Sequence, residues 1–354
     1  MKKENKILDF FITTLNGMAY GLFATLIIGT IIGSIGGLFP DTEFNNILKQ
    51  TSSLLSNLTG AGIGIGVALA LKADSLKTIV LASVGEISSY FSLTTKFVND
   101  GTITNSMKIG DPLTIYLVVI ITALLLKLIF QKKTPVDILL VPLCGISLGL
   151  IFSLLVRYPT IYVTYGIQYI VNEATLIQPI LMGSIIAVVM GMALTAPISS
   201  AAIAAMIFIG EGEGLILASG AALIGCCTQM VGFAIQSRKD NNIGMVISIG
   251  IGTSMLQFKN ILKKPIIWLP TIIASIILGP ISTTLIKLKC MGSSAGMGTA
   301  GLVGQIGTIA SMGNSVNTWL IIIFFEILAP LVLVFIIDLI FRKFNLIKEG
   351  DLKV

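Results

Sequence analysis

Apolar runs of about 20 residues recur along the whole chain, and short polar connections between them hold most of the lysines and arginines. A helix of about 20 apolar residues crosses a hydrocarbon core of roughly 30 Å. Twelve such blocks can be drawn: 15–39, 54–72, 76–94, 112–131, 135–156, 176–194, 195–210, 213–236, 242–258, 265–286, 291–313 and 317–341. In lipid a segment must satisfy its own backbone hydrogen bonds, so these blocks predict helices. The expected fold is an all-α polytopic membrane protein with about 10–12 transmembrane helices, some re-entrant or broken.

Three blocks carry the signs of interruption. The block 54–72 contains Gly60-Ala61-Gly62-Ile63-Gly64-Ile65-Gly66, and glycine weakens helix interiors. The short block 195–210 opens on Thr195-Ala196-Pro197, and 291–313 holds Gly292, Gly296, Gly298, Gly301, Gly304, Gly307 and Gly313. Upstream, Arg157 to Glu173 includes Tyr158, Tyr162, Tyr165 and Tyr169, which suits a helix lying along the membrane interface.

Composition removes the soluble alternative. Hydrophobic residues make up 55% of the 354, charged residues 11%, and mean hydropathy is +0.96, where a soluble domain carries about 25% charged residues. No stretch is long and polar enough for a separate soluble domain. Residues 1–354 therefore read as one transmembrane transport domain, with candidate repeat halves 10–157 and 176–290 followed by 291–341. A five-span unit duplicated in tandem must invert, as in many secondary transporters. The start Met1-Lys2-Lys3 resembles a signal peptide, but Gly17 to Phe39 is too long for one and reads as a retained first span.

The net charge of +6 sits in the connections, where it orients a membrane protein rather than binding nucleic acid. With the N-terminus inside, Lys2, Lys3, Lys72, Lys77, Lys127 and Lys133 fall on the cytoplasmic side, and Lys49, Lys96, Lys108 and Arg157 outside. Cationic residues are in excess inside, which predicts a cell-membrane protein with both termini cytoplasmic.

Candidate chemistry is sparse. The chain has no histidine, and Cys144, Cys226, Cys227 and Cys290 lack metal-ligand spacing, so neither a metal nor a cofactor is expected. No catalytic residue is assigned. An ionisable or polar side chain inside a membrane is a functional candidate because it is costly unless paired or hydrated. Glu86 qualifies as a site or coupling residue, with an internal salt bridge or helix contact as the alternative. Glu326 reads as a buried structural partner and Asp338 as a boundary residue. Gln229, Gln305 and Asn314 are neutral donors in or beside apolar blocks.

The most informative run is Thr195-Ala196-Pro197-Ile198-Ser199-Ser200. Proline removes a donor and disfavours helix in the residue before it. A backbone break at membrane depth is tolerated only where it is buried in protein or lines a cavity. Thr195, Pro197, Ser199 and Ser200 thus become candidates for binding a polyol or sugar. A Pro-kinked helix with small packing residues is the alternative.

The runs Gly225-Cys226-Cys227-Thr228-Gln229-Met230-Val231-Gly232, Gly252-Thr253-Ser254-Met255-Leu256-Gln257 and Gly296-Met297-Gly298-Thr299-Ala300-Gly301 resemble the PfoR-type membrane proteins. That family is classed with the sugar-translocating IIC subunits of the bacterial phosphotransferase system. The resemblance runs from about Phe10 to Arg342 and implies a homodimeric subunit that carries a small polar solute, a sugar, across the bilayer by an elevator-like motion. Phosphoryl transfer in such systems runs through cytoplasmic IIA and IIB proteins, here expected as separate partners. The chain departs from better-known sugar IIC proteins in lacking their Gly-Ile-Thr-Glu-Pro motif. Two other readings stand beside it: a membrane sensor that binds a ligand without transporting it, and an ion-coupled transporter using Glu86 or Glu326.

Overall fold

Helix dominates the computed structural model, which describes residues 6–37, 42–95, 103–105, 110–132, 134–208, 213–290 and 292–354. Lys2, Lys3, Lys96, Lys108 and Lys133 of the charge argument lie outside the described residues, as do Phe39 and Met291. The chain forms two compact units, Met1–Val163 and Thr164–Val354.

The first unit begins with α1 (Asp9–Gly37), followed by α2 (Glu43–Asn57), α3 (Thr59–Ala70) and α4 (Ser75–Tyr90). A short antiparallel hairpin, β1 (Leu93–Thr95) with β2 (Ile103–Asn105), precedes α5 (Pro112–Ile129). Starts are set by side-chain caps: Thr42, Asp74 and Asp111 accept from the backbone N–H of Asn45, Lys77 and Thr114. Each satisfies a donor that the first helical turn leaves open.

The interruption expected in 54–72 is present, but at Leu58, where α2 and α3 meet at 49°. The glycine run itself is regular helix, contrary to expectation, and its spacing explains why. Gly60 and Gly64, four apart, face α4; a Cβ on Gly64 would sit 2.1 Å from the Leu81 carbonyl oxygen. Gly62 and Gly66 face α1, where a Cβ on Gly66 would sit 2.0 Å from the Gly17 carbonyl oxygen. Two interleaved small-residue faces bring three backbones into contact, and that packing outweighs the low helix propensity of glycine.

Helix α6 (Asp137–Ala174) is continuous over 38 residues, with Pro142 and Pro159 inside it. The expected span 135–156 and the separate interfacial helix after it are therefore one element. Tyr158, Tyr162, Tyr165 and Tyr169 project from its exposed surface.

The second unit contains α7 (Pro179–Thr195), α8 (Ser200–Ile207), α9 (Glu213–Lys239), α10 (Ile243–Gly252), α11 (Phe258–Lys263) and α12 (Pro265–Ile286). These are followed by α13 (Ala300–Met312) and α14 (Val316–Lys343). Single 3-10 turns at Ser254–Gln257 and Gly292–Gly296 fill two of the connections. Helix α9 is the axis of the core, buried from Ala218 through Phe233. Helix α7 meets α9 at Gly191 and Gly225 and meets α12 at Gly183 and Gly279, again through backbone contact.

Among the described residues, six helices are long and apolar enough to cross a membrane, α1, α5, α6, α9, α12 and α14, or seven if the bent α2–α3 pair is one span. The remaining apolar blocks form shorter helices, among them Pro179–Thr195, Ile243–Gly252 and Ala300–Met312. Asp338, expected at a boundary, is instead fully buried between Arg238 at 2.8 Å and Arg342 at 3.0 Å.

Candidate functional site

The break at Pro197 is real. Helix α7 ends at Thr195, Ala196 is extended (φ −71°, ψ 161°), and α8 starts only at Ser200. Proline forces this locally, since the residue before it is pushed out of the helical region. The break leaves the Thr195 side chain facing α9 and the 254–257 turn rather than continuing a helix.

Five side chains converge there. Thr195 Oγ1 donates to Gln229 Oε1 at 3.2 Å and pairs with Ser254 Oγ at 2.9 Å. The same Gln229 oxygen accepts from Trp268 Nε1 at 2.9 Å and from Thr271 Oγ1 at 3.1 Å. Thr195, Gln229, Ser254 and Thr271 are fully buried, and Trp268 is partly exposed. Gln229 Nε2, by contrast, has no partner. Reversing the amide would set its nitrogen against the indole N–H, which can only donate. The unsatisfied group is therefore the amide nitrogen.

Sequence reasoning selected Thr195 and Gln229 separately, and the fold joins them. It missed Ser254, Trp268 and Thr271 as members of the cluster. Ser254 stood in the family-like run 252–257, but nothing in the spacing tied it to a residue 59 positions earlier.

Gln305 joins a second cluster. Its Nε2 donates to Glu326 Oε2 at 2.8 Å and to Cys227 Sγ at 3.5 Å, while Thr308 Oγ1 donates to Glu326 Oε1 at 2.6 Å. Glu326 is fully buried in a π-helical stretch, Ile321–Leu328, inside α14. Gln305 Oε1 has no partner. Cys227 and Gln229 are two residues apart on α9, so one helix serves both clusters.

Two of the predicted broken segments meet. Ser200 Oγ donates to the Gly296 carbonyl at 2.7 Å, and a Cβ on Gly296 would lie 2.3 Å from the Ser200 carbonyl oxygen. In 291–313 the helix is interrupted where Gly298 and Gly301 take positive φ, +56° and +54°, a region glycine enters without steric cost. Pro197 is buried and Ser199 partly buried between these contacts. Asn314 is exposed in the connection after α13, where its Oδ1 accepts from Trp319 Nε1 at 2.8 Å. Glu86 belongs to the first unit. Its Oε2 accepts from Ala61 N at 3.0 Å and closes the first turn of α3 just beyond the Leu58 bend.

Two cavities of about 320 and 330 Å³ lie in the first unit, around Asp74 and Lys77 at the α3–α4 turn. Neither is lined by any of the candidate residues. The Thr195–Gln229 cluster is closed, its polar atoms packed against one another.

The family model described as phosphotransferase system, EIIC matches residues 12–354. The chain belongs to that family. This EIIC protein is thus a multi-pass membrane subunit of sugar transport, in a family that works with IIA and IIB partners. No curated protein and no solved structure matches it.

Proposed function

We propose that the cluster of Thr195, Gln229, Ser254, Trp268 and Thr271 is the sugar-binding subsite of this EIIC protein, held in an occluded state. The observation that carries the reading is the unpartnered amide nitrogen of Gln229, fully buried beside a helix break. A buried donor without a partner costs about 1–3 kcal/mol, so its retention is explained if a ligand oxygen completes it. The cluster offers amide and hydroxyl groups and no ionisable side chain, which matches the hydroxyls of a neutral sugar. The partly exposed indole of Trp268 supplies an apolar plane for the C–H face of a sugar ring.

Pro197, Ser199 and Ser200 shape the break, and Gln305, with its own unpartnered oxygen, extends the polar surface along α9. Glu86 and Asn314 take no part in the cluster: Glu86 closes the first turn of α3, and Asn314 accepts from Trp319. Because the cluster is closed, sugar entry requires α7 and the 254–257 turn to separate. The phosphoryl group comes from a IIB partner at the cytoplasmic face of the cell membrane. Both termini lie on that face, and the working form is a homodimer.

A thermal-shift screen of neutral sugars on the purified protein tests the subsite, because a ligand that binds only the folded state raises the melting temperature. At least one sugar should raise it, and the Gln229→Leu variant should not respond. Uptake into vesicles reconstituted with and without IIA and IIB proteins tests transport. A folded protein that binds and moves no sugar refutes the reading.

A further inference from the structure

After α14 the chain reverses at Asn345 (φ 56°) and lays the segment Lys348–Val354 into a groove of side chains. Asp240 takes the backbone N–H of Gly350 at 2.8 Å on one oxygen and that of Leu352 at 3.0 Å on the other. Asn241 donates to the Leu352 carbonyl at 2.8 Å and accepts from Val354 N at 2.9 Å, as a neighbouring β-strand would. Gln257 Nε2 also reaches the Leu352 carbonyl at 2.9 Å, and Asn260 Nδ2 reaches that of Lys353 at 3.1 Å. Lys264 pairs with Asp351 at 2.6 Å. The Leu352 side chain is fully buried, as is Gln257. Nearly every hydrogen bond from the groove goes to the segment's backbone, so the groove holds a turn of chain, with Gly350 at φ 91°, anchored by one apolar residue.

Gln257 ends the 3-10 turn that Ser254 begins. Ser254 holds Thr195 at the other end of that turn, and the next residue, Phe258, contacts the Trp268 ring edge-on with centroids 6.3 Å apart. The segment and the polar cluster are therefore joined through a single turn of chain. A rigid turn with both ends bonded passes a displacement from one to the other.

We infer that Lys348–Val354 is a strap whose seating on Asp240, Asn241, Gln257 and Asn260 positions Ser254 and Trp268, and through them the Thr195–Gln229 pair. Ser254 and Gln257 are positioning residues in this scheme. The effect on sugar affinity rests on the subsite reading above; the coupling between strap and cluster does not.

The chain has two tryptophans, so Trp319→Phe leaves Trp268 as the sole indole reporter. In that background Leu352→Asp should abolish amide-exchange protection of Gly350 and Leu352 and shift Trp268 emission to the red. It should also raise exchange at Ser254–Gln257. Loss of strap protection with Trp268 emission and the 254–257 amides unmoved overturns the coupling, and a strap that stays protected overturns Leu352 as its anchor. Should Leu352→Asp fail to fold, Gln257→Ala removes the link and the bond from Asn260 while Asp240 and Asn241 still hold the segment: an unmoved Trp268 signal then overturns the proposal. The two readings separate cleanly. If Thr195→Ala and Gln229→Leu leave sugar binding intact while strap variants move Trp268, the subsite fails and the strap stands. If those two variants abolish binding while strap variants move neither Trp268 nor affinity, the strap fails alone.

Discussion

Trp268 Nε1 donates to Gln229 Oε1 at 2.9 Å, and this one bond fixes the orientation of an amide that three donors share. An indole cannot accept, so the amide nitrogen is directed away from Trp268, Thr195 and Thr271 and is left without a partner. The functional reading of the second unit follows from that asymmetry.

Gln229→Leu removes the shared acceptor and strands the indole N–H of Trp268, while Thr195 keeps Ser254 at 2.9 Å and Thr271 keeps the Trp268 carbonyl at 2.9 Å. Each buried group left unsatisfied costs about 1–3 kcal/mol. The variant should melt well below the parent in detergent. Gln229→Glu, at a pH where its carboxyl is neutral, keeps an acceptor for Trp268 and an O–H donor in place of the amide N–H, so it should keep part of the sugar response and fall less in melting temperature than Gln229→Leu.

Gly64→Ala and Gly166→Ala should move stability in opposite directions. A Cβ on Gly64 meets the Leu81 carbonyl oxygen at 2.1 Å, a backbone atom that cannot step aside. Overpacking of this kind costs about 1–3 kcal/mol. Gly166 lies within α6 with nothing within 4 Å of a new Cβ, and alanine there adds about 0.8–1 kcal/mol of helix propensity. Paired melting curves decide it: a neutral Gly64→Ala would contradict the close crossing of α3 and α4.

Asp338→Ala should be among the most damaging substitutions in the second unit. It strips the carboxylate from between Arg238 and Arg342, both largely buried, and breaking such a buried pair costs about 3–5 kcal/mol. Low folded yield, or a large fall in melting temperature, is the expected outcome.

Strap seating should depend on pH only in strongly acidic buffer. Burial works against ionisation of Asp351, but hydrogen bonds from Lys264 and the Lys348 N–H, with the charges of Lys264 and Arg342, hold its carboxyl below the ordinary value of 3.8. A depressed folded value means the carboxylate contributes above 3.8 and loses that contribution as pH falls through the lower bound-state value. Amide exchange at Gly350 and Leu352 should therefore be flat near neutrality and rise in acid. Asp351→Asn should weaken the Lys264 contact modestly at pH 7, since an exposed ion pair is worth about 0–1 kcal/mol.

Much of this was legible from residue order because the membrane imposes it. Apolar blocks with few charges can only be helices in lipid, and α5, α9, α12 and α14 lie close to where the blocks predicted them. Pro197 announced its break because the rule is local, involving one residue and the one before it. The glycine run in α3 was misjudged because propensity is also local, whereas two helices closing on its alternate faces are not. Fewer helices than blocks reach spanning length among the described residues because blocks such as 176–194, 242–258 and 291–313 fold into the shorter helices Pro179–Thr195, Ile243–Gly252 and Ala300–Met312.

What the sequence determined by itself is membrane residence, helical class and the position of the break at Thr195–Ser200, each a consequence of composition or of neighbouring residues. Tertiary structure alone decided that Thr195, Gln229, Ser254, Trp268 and Thr271 share one site, that Glu86 closes a helix start, and that Asp338 is buried between two arginines. Hydrogen bonds across 34, 59 and 100 positions carry no local signal. They arise only when glycine-lined helices pack closely enough to bring distant polar groups within 3 Å or so of one another.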